Sequence, residues 1–480
     1  MGKEKRSVHF VLNNFVKNYS NIFSTDGSIL FCLICNISVG ATKKFQVDQH
    51  LKTVKHLRNA ELKKPKQTLI SASLINQPQF RSNQFSMDLC EALIAADIPL
   101  GKLQNKKFVD FLEKYIKTVI PTETTLRKGY ISPIYEATLS KIRNDLFDKD
   151  IWVSLDETTD STGRYVANFV VGAIGENKSY LLNLDILDQT NHSTIAVFFN
   201  NSLTILWPNG LRYEKVKLVC TDAAPYMVKA INGLKILYSQ MLHLTCLAHG
   251  LNRVAEVVRL QYESVNKLIS STKKVFLKAP NRIQKFKNMA PQLSLPPSPI
   301  ITRWGTWLNA AKYYADNFEL LKKIIEALDE DEAACILDAK TEFNSINIEN
   351  DLEFIKNNYV CIGLAIQKLE KRNLPLHESL AIIEEVKDSL PVRSAASKNL
   401  ECVLNKNPDF NILKSVARCM EDYLNIDDIQ ININNFKNFP VTSCDVERIF
   451  SRYKNILCDN RQSFLMKNLR QYVIINCNAQ

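Results

Sequence analysis

Apolar positions change their period along the chain, and each change marks a region. Residues 28–60 read SILFCLICNISVGATKKFQVDQHLKTVKHLRNA. Two short apolar runs flank Cys32 and Cys35, and Val47, Leu51, Val54 and Leu57 then recur close to helical spacing. The pattern predicts strand, knuckle, strand and helix. The following LKKPKQTLISASLINQPQ is polar and broken by prolines, which reads as a linker. From about residue 85 to 147 the period is helical, punctuated by Pro99, Pro121 and Pro133. Between 151 and 250, IWVSLD, YVANFVVGAI, YLLNLDIL and VKLVCTD read as strands, while STIAVFFNNSLTIL and YMVKAINGLKILY read as helices. LHLTCLAH reads as a last strand running into a helix. Three successive strands followed by strand–helix alternation predict a mixed sheet covered by helices. Helical periodicity then dominates from about 252 to 424, interrupted by APQLSLPPSPIITRW, and a final helix begins near Ser443.

The 480 residues leave room for two to four domains. The predicted class is a multidomain α/β protein with units at 20–62, 63–148, 149–251, 252–439 and 440–480. A hydrophobic fraction of 46% and a charged fraction of 23% are ordinary for a water-soluble chain. No apolar run approaches a membrane span, and the first ten residues carry no signal-peptide core. The net charge of +11 is uneven: residues 1–70 hold 12 Lys/Arg against 4 acids. A basic end on a nearly neutral body suits a polyanion-binding arm, the bland alternative being a merely soluble, Lys-rich terminus. Twelve scattered cysteines do not form a secreted disulfide framework, so reduced thiols and metal ligands are expected, inside the cell.

Cys32-x2-Cys35 followed by His50-x5-His56 offers two thiolates and two imidazoles, the tetrahedral shell of a structural zinc ion. An ideal helix would not put both histidines on one face, so the helix is expected to tighten or break near Val54. Lys43, Lys44, Lys52, Lys55 and Arg58 surround this unit and are placed to meet phosphates.

IWVSLD ends in Asp156 and VKLVCTD in Asp222. On neighbouring strands these carboxylates could share a hard divalent cation, magnesium or manganese. Strand-end aspartates more often cap helices or close turns. Glu447, in TSCDVERIFSRYKNIL, lies on the last predicted helix with Phe450, Ile456 and Leu457 able to pack inward, whereas Asp445 points elsewhere. Glu157 and Asp160 read as local turn and capping residues.

VSLDETTDSTGRYVANFVVG, VCTDAAPYM and SCDVERIFSRYKNILCDNRQSFL together resemble the acidic motifs and C-terminal signature of the hAT superfamily of DNA transposases. The match is patchy from about residue 20 to the C-terminus. The N-terminal third, roughly through Ile134, also resembles the CGG triplet-repeat binding proteins. The resemblance implies an RNase H-like core split by a helical insertion, with Asp156, Asp222 and Glu447 as a magnesium- or manganese-binding triad for strand cleavage and transfer. It also implies roles at DNA for Cys246 and His249 of LTCLAHGLN, and for Arg303 and Trp304 of TRWGTWL, the tryptophan stacking on a flipped base. Without it, Cys246 and His249 read as a buried helix start and Trp304 as a core aromatic beside Trp307. The implied protein is nuclear, dimeric or larger through residues 440–477, and makes no use of a membrane. A DNA-binding regulator that has lost catalysis is the alternative.

Overall fold

The computed structural model describes residues 8–19, 22–25, 27–35, 37–62, 84–299, 304–372, 374–422, 439–457 and 464–479. Near the N-terminus, β1 (Phe23–Thr25), β2 (Leu30–Cys32) and β3 (Ile37–Val39) form an antiparallel sheet in that order. Helix α1 (Val8–Asn18) packs on it through Leu12 and Phe15. The expected ββα outline is thus incomplete: β1 and α1 precede it, and a three-residue strand is too short to show a period. Two helices follow, α2 (Lys44–Leu51) and α3 (Val54–Leu62), with the expected break between them. Thr53 makes the break, its Oγ1 donating to the His50 carbonyl (2.8 Å) and accepting from the His56 N–H (3.2 Å). The break turns Val54 and Leu57 outward, against the sequence pattern; they are 82% and 54% exposed.

Four helices come next: α4 (Gln84–Ala95), α5 (Lys106–Ile116), α6 (Glu123–Gly129) and α7 (Ile131–Asp145). They lead into a five-stranded mixed sheet of β4 (Ile151–Thr159), β5 (Tyr165–Ala173), β6 (Ser179–Leu187), β7 (Val216–Thr221) and β8 (Leu242–Thr245). The order is β6-β5-β4-β7-β8, with β6, β5 and β4 antiparallel and β7 and β8 parallel to β4. These strands are continuously apolar because helices cover both faces. On one face, Phe169 of β5 meets Phe198 and Phe199 of α8 (His192–Leu206). Helix α9 (Pro225–Leu234) packs beside α8 and connects β7 to β8. The other face carries Trp152, Ser154 and Asp156, and opposite them in register Gly172, Val170 and Asn168. Gly172 has to lack a side chain, since a Cβ there would stand 2.6 Å from the Trp152 indole.

Helix α10 (Leu247–Gln261) follows β8 and runs unbroken across the predicted 251/252 boundary. A helical block follows, from α11 (Glu263–Phe276) through α20 (Phe410–Asp422). The chain then returns to the sheet as α21 (Cys444–Ile456) and α22 (Met466–Asn478). Among the described residues, no helix is long and apolar enough to cross a membrane.

Helix α21 holds several parts together at once. Arg448 donates to Asp445 (2.6 Å) and to the Glu370 carbonyl, just past the end of α17 (Val360–Leu369). One turn on, Arg452 donates to the Cys477 carbonyl in the last turn of α22 (3.4 Å). Both guanidiniums therefore sit where helix C-termini present unpaired carbonyls and partial negative charge. Tyr453 donates to Asp160 Oδ2 (3.0 Å), which also receives Arg164 Nε (2.7 Å). Asp160 does close the β4–β5 turn as expected, through the N–H groups of Thr162 (2.9 Å) and Arg164 (3.0 Å). Its burial opposes ionisation, but these hydrogen bonds and the Arg164 charge outweigh that and hold the carboxyl below its ordinary value.

Arg164→Leu would strand that buried carboxylate, and about 3–5 kcal/mol of stability is expected to be lost in urea titrations near neutral pH. Asp160 has a depressed folded pKa, so its contribution is present above the usual carboxylate value of about 4 and is lost as pH falls through the lower folded value. The gap between wild type and Arg164→Leu should therefore narrow on acidification.

Candidate functional site

Two clusters of ligand-type side chains stand out among the described residues. In each, the donor atoms lie within 4.8 Å of one another.

The first joins Cys32, Cys35, His50 and His56. Strand β2 ends at Cys32, and the knuckle after it folds back so that the Cys35 N–H donates to Cys32 Sγ (3.4 Å). His50 closes α2 and His56 lies in the first turn of α3, so the Thr53 break brings the two rings together, 5.0 Å between centroids. His56 Nδ1 is 3.4 Å from each sulfur. His50 Nε2 is buried and has no hydrogen-bond partner among the described residues. Burial lowers both imidazoles, with the His56 charge adding to the effect at His50, so both favour the neutral form that binds metals. Lys43, Lys44, Lys52 and Lys55 are exposed around this cluster, with Phe45 among them. The Arg58 side chain lies outside the described residues.

The second joins Asp156, His249 and Glu447. Asp156 lies on β4 on the face turned to α21, and Glu447 sits in the first turn of α21. His249 is in the first turn of α10, whose N-cap is Cys246. Cys246 Sγ accepts the Ser443 N–H (3.3 Å), and the Val441 carbonyl accepts the Leu247 N–H (3.0 Å). These contacts pin the start of α10 to the segment entering α21, and so set Glu447 opposite His249 at 3.7 Å.

The electrostatics of this cluster are those of negative charge short of a cation. Complete burial raises the Asp156 carboxyl well above its usual value; His249 works against the shift, while Asp222, Glu447 and Glu157 reinforce it. Burial likewise raises Glu447, again opposed by His249. Burial alone would lower the His249 imidazole, but the Cys246 thiolate, Asp156 and Glu447 together raise it to about 9. The Cys246 thiol is lowered despite its burial, because Cys220, His249 and the Ser443 side chain favour the thiolate at a helix N-terminus.

Asp222 follows β7 directly and is close enough to raise both Asp156 and Glu157. It is not a member of the tight cluster; its Oδ1 instead accepts the Ala224 N–H (3.1 Å) at the start of α9. His249 takes the third place. The Cys-x-x-His spacing at a strand-to-helix junction was the signal for it, and only the parallel pairing of β7 with β8 brings it beside Asp156. Glu157 corrects another expectation: it is a strand residue that accepts a hydrogen bond from Tyr226 of α9, not a cap. Trp304 is half-buried and meets His249 edge-on, 4.5 Å between ring centroids. Arg303 lies outside the described residues.

Comparisons with known proteins divide the chain in a similar way. Residues 121–275 match a family described as a domain of unknown function, DUF659, and residues 8–62 match the CGGBP1 N-terminal domain. CGG triplet repeat-binding protein 1 of Mus musculus is 29% identical over 143 residues, and that of Homo sapiens 27% over 143 residues. Each alignment takes in 28% of this chain and 86% of the relative. Among solved structures, a chain of the Drosophila P element transposase strand transfer complex aligns with 90% of this chain and 98% of its own length, at 14% identity and a TM-score of 0.36.

The N-terminal module has a core of few residues, so a metal ion bound to its four ligands would drive its folding. Chelation, or Cys35→Ser, is expected to release amide protection across 22–62 while β4–β8 stay protected. Hydrogen exchange with and without chelator reads both parts in one experiment.

Proposed function

We propose that this chain is a hAT-type DNA transposase, or a protein derived from one, that holds DNA through its N-terminal module and carries a DNA strand-cleavage and strand-transfer centre at Asp156, Asp222 and Glu447. The observation that carries the proposal is the meeting of Asp156 and Glu447, nearly three hundred residues apart in sequence, in one cluster with His249. Carboxylates raised by burial, Asp156 further by its acidic neighbours, are what a divalent cation relieves. Magnesium or manganese suits the oxygen donors, with Asp222 near enough to contribute. Such ions, when bound, activate an attacking oxygen and stabilise the leaving oxygen of a phosphodiester.

The chain's own groups supply the rest. In the N-terminal module, a tetrahedral zinc ion would hold sulfur and nitrogen ligands roughly 3.6 Å apart, close to the 3.4 Å between His56 Nδ1 and each sulfur. The exposed lysines around that zinc finger would neutralise backbone phosphates of double-stranded DNA. The match of residues 8–62 to the CGGBP1 N-terminal domain, and relatives named for binding CGG triplet repeats, support a DNA role for this end of the chain. His249, as an imidazolium beside Glu447 and Asp156, balances their charge while no other cation is present. Trp304, packed on His249, would stack on a flipped base beside the cluster. The proposed units are the predicted ones, with the finger extended back to α1; nuclear location and a homodimer or larger assembly through 440–477 belong to the same reading.

Two observations favour a second reading. The named relatives take in only 28% of this chain, and Asp222 stands outside the tight cluster. A silent DNA-binding regulator would keep the finger and bind no catalytic ion.

Purified protein with supercoiled DNA and magnesium or manganese separates the two. Wild type is expected to nick DNA and join 3′-hydroxyl oligonucleotides, and Asp156→Asn to lose both by at least a hundredfold, on the order of what a lost metal-binding or charge-stabilising group costs, while still binding DNA. Zinc-dependent DNA binding with no strand chemistry in either protein would assign the regulator.

A further inference from the structure

Asn168 is a buried polar residue without a visible purpose. It stands in β5 between Ala167 and Phe169, is 0% exposed, and neither its Oδ1 nor its Nδ2 finds a hydrogen-bond partner among the described residues. Leaving such an amide unpaired is costly, so an apolar residue would serve the fold better. The β4–β5 register explains where the amide is aimed. Asn168 is the direct cross-strand partner of Asp156, and the pairing of the two strands runs without a shift. Directly opposed residues share a face, with Cβ atoms about 5 Å apart. Ser154, one step along the same face, likewise has a buried Oγ with no partner among the described residues. A partnerless polar floor therefore lies beside the acidic cluster and under α21. Asp156 itself spends Oδ1 on the N–H of Glu157 (2.9 Å).

We propose that Asn168 is a positioning residue for Asp156: without a partner among the described residues here, its carboxamide donates to the second carboxylate oxygen once a divalent cation is bound with His249 and Glu447, and so fixes the carboxylate's orientation toward that ion. The proposal rests on the reading of this cluster as a cation site. It accounts for a polar side chain that makes no structural hydrogen bond and lies one strand away from the cluster's most buried acid. It also adds to the site a residue from β5, a strand that contributes none of the three clustered donors.

The test compares two nearly isosteric replacements in the full chain, Asn168→Val and Asn168→Thr. Manganese affinity is measured by titration calorimetry without DNA, and melting temperature without added metal. Asn168→Val is expected to melt above wild type, because it removes the unpaired amide, and to bind manganese about ten to a hundredfold more weakly, as when a group orienting a metal ligand is lost. Asn168→Thr keeps a donor and is expected to recover most of that affinity. A Val variant that binds manganese like wild type, or that fails to fold, overturns the proposal. Asp156→Asn in the same titration separates the two levels. If wild type binds manganese and Asp156→Asn does not, the cation site stands whatever Asn168 does. If wild type does not bind manganese, the site and the proposal fall together.

Discussion

A carboxylate buried on a strand that is covered on both faces is the constraint around which this protein is arranged. Asp156 is buried, and Asp222, Glu447 and Glu157 all add to its unfavourable charge. Such a group persists only where opposite charge is supplied on the spot. His249 supplies it from α10, and can do so only because the Cys246 cap, the Ser443 N–H and the Val441 carbonyl hold the start of that helix against the chain entering α21. The cluster is thus as much a structural junction as a chemical one.

Helix α21 translates that junction into the rest of the molecule. Successive side chains leave it in different directions: Glu447 to the acidic cluster, Arg448 to the end of α17, Arg452 to the end of α22 and Tyr453 to the Asp160–Arg164 pair. Two of these contacts neutralise helix C-termini, and one completes a buried ion pair in a hairpin far away in sequence. A small rotation of α21 would disturb all four. The position of Glu447 is therefore held by forces that have nothing to do with the chemistry of the site.

Much of this was legible in the sequence. The five strands of the sheet, the helices between them and the break between His50 and His56 follow from period, β-branched runs and the spacing of the histidines. Asp156 and Glu447 could be singled out as a strand residue and a helix residue of the right type. What could not be read was which third group would join them. Asp222 and His249 are equally plausible by type, and the choice depends on the parallel register of β7 and β8 and on the turn into α9. The outward rotation of Val54 and Leu57 was hidden for a similar reason, since a two-residue break resets the helical phase. Asn168 gave no signal at all, because an asparagine in a strand has meaning only once its cross-strand partner is known.

The division of labour along the chain has a consequence for its biogenesis. Every ligand of the N-terminal module lies within twenty-five residues, Cys32 to His56, whereas the acidic cluster draws on Asp156, His249 and Glu447. During synthesis the first set is therefore made long before the second can assemble. Any product cut short between the two would keep the first and lack the second.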